Sequence, residues 1–492
     1  MPHIGEREER INVEEDVCMT GHIFVRRGVW LMGKRSTRST DSEISIPARA
    51  LVKPPWLVAA CPATSSPSSK YRSRHQHPDS NLVRATHLEI PMAPLLKWAR
   101  NLLRRTPWRP LRFPTAGFEV VPATKLLEEE RFDEFKTGNY YPANIGDLFA
   151  SNKYQVVGKL GFGDRDYVTL KIFARDHGDT CRDEFQTYKT IDKANPSHPG
   201  RRHVRTALDT FTIDRPGGDH QCLVQRPMWD SWKDLLLRNP AGRFSEALLK
   251  GGLQHLLRGL DYLHTECKLV HTDIKADNIL HAIVDQGILE AFVKEEMESP
   301  SPRKYVDGAP VYMSRRFGLP EDFGRIVLSD FGSSVRGDLK RNHDAQPNVY
   351  RSPEVMIKAA WSYPVDIWNV GAMIWDVFEG GHLFYGEDPT GKGYTTRAHL
   401  AEVVGMLGPP PLDLLERGVR SKEFFSEDGQ WIADVPIPLG HSLETAEHVL
   451  SGRNKAVFLN FVRGMLAWRP EDRKTARELL EDPWLNTWEI SD

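Results

Sequence analysis

Asp273 and Asn278 stand five positions apart in the run His271-Thr272-Asp273-Ile274-Lys275-Ala276-Asp277-Asn278-Ile279-Leu280. A carboxylate there can accept the proton of an incoming hydroxyl. A carboxamide at that distance can fold back to hold a magnesium ion on nucleotide phosphates. One short loop then serves both ends of an in-line phosphoryl transfer. Taken alone, the run also reads as a polar turn after a buried helix, so the decision falls to partner residues elsewhere in the chain.

Those partners occur in a consistent order. Tyr154–Leu160 reads as a strand and is followed at once by Gly161-Phe162-Gly163, where the lack of side chains lets backbone amides approach phosphates. Tyr167–Phe173 is a second β-rich run with Lys171 among apolar neighbours. A lysine facing inward there needs an anionic partner, because an unpaired buried charge is costly. A helix expected from about Thr180 to Ala194 offers Glu184, with Asp183 as the competing choice. Val204–Ile213 and His220–Val224 read as strands around Pro216-Gly217-Gly218-Asp219, and Gln225-Arg226-Pro227-Met228 as a hinge. The next helix carries Leu249, Leu253, Leu256, Leu260 and Leu263 on one stripe, with Ser245 as its cap.

Two Asp-Phe-Gly triplets follow an insertion at about 281–325. Asp322-Phe323-Gly324 sits in a polar segment, whereas Asp330-Phe331-Gly332 follows the apolar strand Ile326-Val327-Leu328. A strand can hold a carboxylate against a metal, so Asp330 is the candidate ligand. Glu354 in Tyr350-Arg351-Ser352-Pro353-Glu354 and Arg473 near the end are suited to a buried ion pair.

Composition bounds the remainder. The 492 residues have a net charge of -2, which predicts no bulk attraction to nucleic acid or an anionic membrane. The five cysteines are scattered without metal-ligand spacing and read as reduced thiols of a nuclear or cytosolic protein. No apolar run approaches the length of a membrane span. Residues 1–115 are rich in Ser, Pro and Arg and read as a mostly disordered extension. Within them Met92–Arg105 has the pattern of a basic amphipathic helix, and would resemble a transit peptide if translation began at Met92. Residues 116–150 lead into the core.

Over roughly residues 150–487 the chain resembles a eukaryotic Ser/Thr protein kinase, with the loop at 271–280, the Lys171 strand, Asp330-Phe331-Gly332 and the Glu354/Arg473 pair in family order. The last pair separates it from small-molecule phosphotransferases. More narrowly it resembles the serine/arginine-protein kinases in a fungal-type form, through Ser197–Val204, Leu263–Cys267, Asn348–Glu354, Phe113–Glu119, Tyr140-Tyr141-Pro142 and Leu407–Pro411. The resemblance implies an α+β, two-lobed fold spanning 151–487, with a β-rich small lobe at 151–226 and a mainly helical large lobe at 227–487. It implies ATP and Mg2+ as cofactors and Arg/Ser-rich splicing factors as substrates. It also implies a monomer in cytoplasm and nucleus, without direct nucleic-acid binding. Asp273 would be the base and Lys275 would steady the phosphoryl group. Asn278 and Asp330 would hold magnesium, and Gly161, Gly163, Lys171 and Glu184 would align the nucleotide. Glu290, Glu295, Glu296 and Glu298 in the insertion are candidate docking carboxylates for arginine-rich substrates.

Two features carry consequences. Thr272 replaces the arginine of the general protein-kinase motif His-Arg-Asp, the cation that usually receives an activation-loop phosphate, so activity independent of phosphorylation at Ser333 and Ser334 is expected, as the resemblance also implies. Only seven residues separate Gly163 from Lys171, too few for a loop end, a returning strand and a turn. Either the nucleotide roof lacks its second strand, which would favour a catalytically impaired scaffold, or the sequence lacks a segment.

Overall fold

β-Branched and aromatic runs favour a pleated, half-buried surface, and in the small lobe they assemble one six-stranded sheet. The computed structural model describes residues 20–27, 109–131, 135, 138–159, 167–175 and 178–488, with backbone alone at 20–27 and 178–182. The chain divides into two units, Met1–Leu51 with Arg112–Asp492 and, separately, Val52–Leu111. All elements below belong to the first. The basic segment after Met92, and Gly161 and Gly163, lie outside the described residues.

The strands are β1 (Thr20–Arg27), β2 (Leu148–Phe149), β3 (Tyr154–Lys159), β4 (Tyr167–Phe173), β5 (Ala207–Ile213) and β6 (His220–Gln225). Their order is β2-β3-β1-β4-β6-β5. This corrects the expectation of a small lobe without its second strand: β1, drawn from the amino-terminal extension, lies antiparallel to both β3 and β4. It also makes Thr20–Arg27 an exception to the disorder expected of residues 1–115. The first strand of the second hairpin starts at Ala207 rather than Val204, because Pro199–His203 forms a 3-10 turn and Val204 makes an isolated bridge to Leu328. Tyr154, Val156, Val168, Leu170, Ile172 and Val224 form the core of the sheet.

Helix α1 (Gly178–Lys193) packs Phe185 edge-on against Phe173 at 5.3 Å, fixing the helix over the Lys171 strand. After β7 (Met228–Ser231) and α2 (Trp232–Arg238), α3 (Glu246–Tyr262) is capped by Ser245, whose Oγ accepts from the Leu248 N–H at 3.3 Å. Its stripe Leu249, Leu253, Leu256 and Leu260 is fully buried, as is Leu263 after it. Burial of each such side chain is worth about 1.5–3 kcal/mol. The four strands β8 (Leu269–Val270), β9 (Ile279–Ala282), β12 (Ile326–Leu328) and β13 (Val335–Arg336) bracket the two chemistry-bearing loops. Leu328 pairs with Ile279 and Val335 with Val270, so the loop after β12 is held beside the loop after β8. Helix α5 (Pro364–Phe378) is buried almost all round and forms the floor beneath both.

The insertion forms a side module. The hairpin β10 (Arg303–Val306) and β11 (Ala309–Tyr312) packs with the lead-in, where Val121, Leu127 and Val311 share a small core, and helix α4 (Gly287–Glu298) lies against β3. Gly158 permits the contact with β3: a Cβ there would lie 2.5 Å from Phe292 Cε1.

Candidate active site

β4 delivers Lys171 to the cleft, and its register is set by pairing with β6, Lys171 opposite Leu223. The ammonium is buried and lies 2.9 and 3.0 Å from the two carboxylate oxygens of Glu184, and 3.0 Å from Asp330 Oδ1. Glu184 is fully buried whereas Asp183 is exposed, so the structure brings Lys171 to the former. Burial pushes the Glu184 carboxyl up, against the pull of Lys171. Asp330 sits at φ 63°, and Phe331 wedges between Tyr188 on α1 and His271, at ring distances of 5.4 and 5.2 Å. The other triplet lies elsewhere: Asp322 is exposed and Phe323 packs on Trp229 at 5.1 Å.

The catalytic-type loop is organised from below by Asp366 on α5. Its two carboxylate oxygens each accept a backbone N–H at 2.8 Å, from His271 and Thr272. His264 adds a contact of 2.8 Å to the same group. This clamp holds Thr272 at φ 68°, a left-handed conformation that costs a β-branched residue about 1–3 kcal/mol. Above it, Asn278 Nδ2 donates to both the backbone oxygen and Oδ2 of Asp273, each at 2.8 Å. Lys275 lies 3.2 Å from Asp273 Oδ1. Burial pushes the Asp273 carboxyl up, with Lys275 and His271 opposing. Ser329 N–H donates to the Asn278 carbonyl at 2.9 Å, which ties the Asp330 loop to the Asp273 loop.

Asp273, Lys275, Asn278, Lys171, Glu184 and Asp330 thus meet around one cleft. The donor set suits magnesium: Asn278 spends its Nδ2 on Asp273 and keeps Oδ1 as an oxygen ligand, and Asp330 presents a partly exposed carboxylate. No group of three or more His, Cys, Asp or Glu arranged for a metal occurs among the described residues.

Sequence reasoning missed the polar back of this cleft. Arg205 is buried there, donating to Ser329 Oγ at 3.2 Å and to the Arg226 carbonyl at 3.1 Å. Burial pulls its guanidinium down to about 10. Gln225 Nε2 donates to the Tyr188 hydroxyl at 2.8 Å. Arg205 closes a basic run, Arg201-Arg202-His203-Val204-Arg205, in which nothing marks one guanidinium as interior. Gln346 was also missed. Its Oε1 accepts from the N–H and hydroxyl of Ser352 at 2.9 Å each, and its Nε2 donates to Val365 O and Asn369 Oδ1 at 2.9 Å. The docking expectation needs a correction: Glu296 is buried, bonded to Ser301 N–H at 2.8 Å and Arg315 Nε at 3.0 Å. It fastens the insertion and cannot meet a substrate. Glu290, Glu295 and Glu298 are exposed.

Arg473 reaches Glu354 with both terminal nitrogens at 2.6 and 2.7 Å, wholly buried, and ties the segment after the cleft to the large lobe. The protein kinase domain family matches residues 318–485. A serine/threonine protein kinase of Aspergillus fumigatus is 40% identical over 412 residues, covering 80% of this chain and 99% of that protein. The serine/threonine-protein kinase SRPK of Physarum polycephalum is 27% identical, covering 73% and 91%. SRSF protein kinase 3 of Mus musculus is 24% identical, covering 76% and 95%. The chain belongs to the serine/threonine protein kinases, among relatives of the serine/arginine-protein kinase group.

Proposed function

We propose that this kinase transfers the γ-phosphoryl group of ATP to serines of Arg/Ser-rich, splicing-factor-like proteins. The observation that carries the transfer chemistry is the meeting of the Lys171–Glu184–Asp330 group with the Asp273–Lys275–Asn278 group across one cleft. Asp273 is positioned to accept the serine hydroxyl proton, and its raised carboxyl makes it a stronger base than a free aspartate. Lys275 is close enough to it to sit beside the moving phosphoryl group. Lys171, oriented by Glu184, aligns the nucleotide phosphates. Asn278 and Asp330 would hold magnesium, which when bound would neutralise charge on the phosphates.

The substrate class is supported by the similarity to SRSF protein kinase 3. Exposed Glu290, Glu295 and Glu298 supply carboxylates of the sign an arginine repeat needs. No helix among the described residues is long and apolar enough to cross a membrane. A monomer acting in cytoplasm and nucleus fits this role. The test is a comparison of peptide substrates: Arg-Ser repeats should be phosphorylated at least about tenfold more efficiently than Gly-Ser repeats of equal length. Equal rates would refute the substrate assignment and leave the kinase assignment intact.

A further inference from the structure

The small-lobe sheet is completed by a strand from outside the kinase core. β3 and β4 are each antiparallel to β1, and so parallel to one another, with β1 filling the space between. Ile23, Phe24, Val25 and Arg26 pair on both sides: Ile23 faces Lys159 and Leu170, Phe24 faces Gly158 and Thr169, Val25 faces Val156 and Val168, and Arg26 faces Gln155 and Tyr167. His22 stands opposite Lys171. Adjacent strands lie about 4.8 Å apart, so without β1 the two core strands would face each other across roughly 10 Å. Their inward backbone N–H and C=O groups would then be without partners in the middle of a sheet.

The connection between β3 and β4 cannot fill that space. Seven residues, 160–166, join Lys159 to Tyr167. By register, Lys159 lies level with Ile23 and Tyr167 level with Arg26, so the chain must climb back three positions, about 10 Å at 3.3 Å per residue, while crossing two strand spacings. Seven residues cover that path. A returning strand of four residues with a two-residue turn at each end would already need about eight. The segment Thr20-Gly21-His22-Ile23-Phe24-Val25-Arg26-Arg27 has the β-branched and aromatic centre that such a slot selects.

We infer that Thr20–Arg27 is an integral strand of the nucleotide-binding lobe, supplied from more than a hundred residues upstream to hold the Lys171 strand in register. Its placement follows from the sheet alone; its consequence for ATP rests on the kinase reading. A chain begun at Met92 would lack it, and would bind nucleotide poorly although every motif of the core is present.

Hydrogen exchange on the intact chain tests this directly. The amides of Ile23–Arg26 and those of Val168–Leu170 should both be protected about a hundredfold or more over free-chain rates. Exchange at free-chain rates there would overturn the inference. In the Ile23→Pro chain, which cannot donate at that position, protection at Val168–Leu170 should fall at least about tenfold while Leu253–Leu260 of α3 is unchanged. Unchanged protection at Val168–Leu170 would equally overturn it. The exchange readouts use no phosphoryl transfer, so an inactive protein with a protected β1 would sink the kinase reading and leave this one standing.

Discussion

Thr272 Oγ1 donates to the carbonyl of Ser333 at 2.8 Å, so a neutral hydroxyl bond ties the catalytic loop to the start of the activation segment. Further along, Gln346 holds Ser352, Val365 and Asn369 with a neutral amide. Neither contact requires a phosphate. Ser333→Ala with Ser334→Ala should leave kcat within about twofold of the parent, and phosphatase treatment should do the same. Gln346→Ala should lower stability by about 1–3 kcal/mol, because buried Ser352 and Asn369 lose a partner. A tenfold loss in the double serine variant would contradict this account.

Breaking the Glu354–Arg473 pair should be costly. Both side chains are fully buried, so Arg473→Met strands a carboxylate and should destabilise by about 3–5 kcal/mol. Glu354→Met combined with Arg473→Met should recover part of that loss, since no charge is then left unpaired. Denaturant midpoints of the two single variants and the double variant measure it.

Acid should destabilise the fold before the carboxylates titrate. Burial first, with His255 beside His203 and Arg351 beside His399 second, holds both imidazoles down to about 3, against 6.5 for a free imidazole. Between those values the unfolded chain binds more protons, so stability is full above about pH 6.5 and falls as pH drops. Each residue contributes about 1.4 kcal/mol per pH unit, or about 2 kcal/mol from pH 6.5 to 5. Urea midpoints should decline over that window, and less steeply in His399→Gln. A flat profile would show these imidazoles to be solvated.

The insertion offers a test of substrate docking. Glu290→Lys with Glu298→Lys should raise KM for an Arg-Ser peptide several-fold and leave kcat unchanged. An unchanged KM would remove the insertion from substrate binding. Glu296→Lys is the structural control, since its carboxylate is bonded to Ser301 and Arg315, and it should lower stability instead.

What the sequence discloses depends on whether the signal is local. Asp330 stands out from Asp322 because Ile326-Val327-Leu328 precedes it, and an apolar strand is visible in the residues that form it. The helix stripe of Leu249 to Leu263 and the cap at Ser245 are legible for the same reason. Arg205, Gln225 and Gln346 were not, because their burial is imposed by elements distant in sequence, and a buried polar side chain has the same letter as a solvated one. β1 was least legible of all. A count of residues after Gly163 reveals that a strand is absent from the core, but no local pattern says which remote segment takes its place. Glu296 was misread for a related reason: an acidic helix face looks solvated until Arg315 and Ser301 close over it.

The most direct test of the whole account is transfer of labelled γ-phosphate from Mg-ATP to an Arg-Ser repeat peptide, with Asp273→Asn as control. The account predicts serine phosphorylation by the intact chain and a loss of at least about a thousandfold in the variant, whose side chain cannot take the hydroxyl proton. Peptide bound without transfer, or equal transfer by both chains, would contradict it; the first result would mark a kinase-fold scaffold.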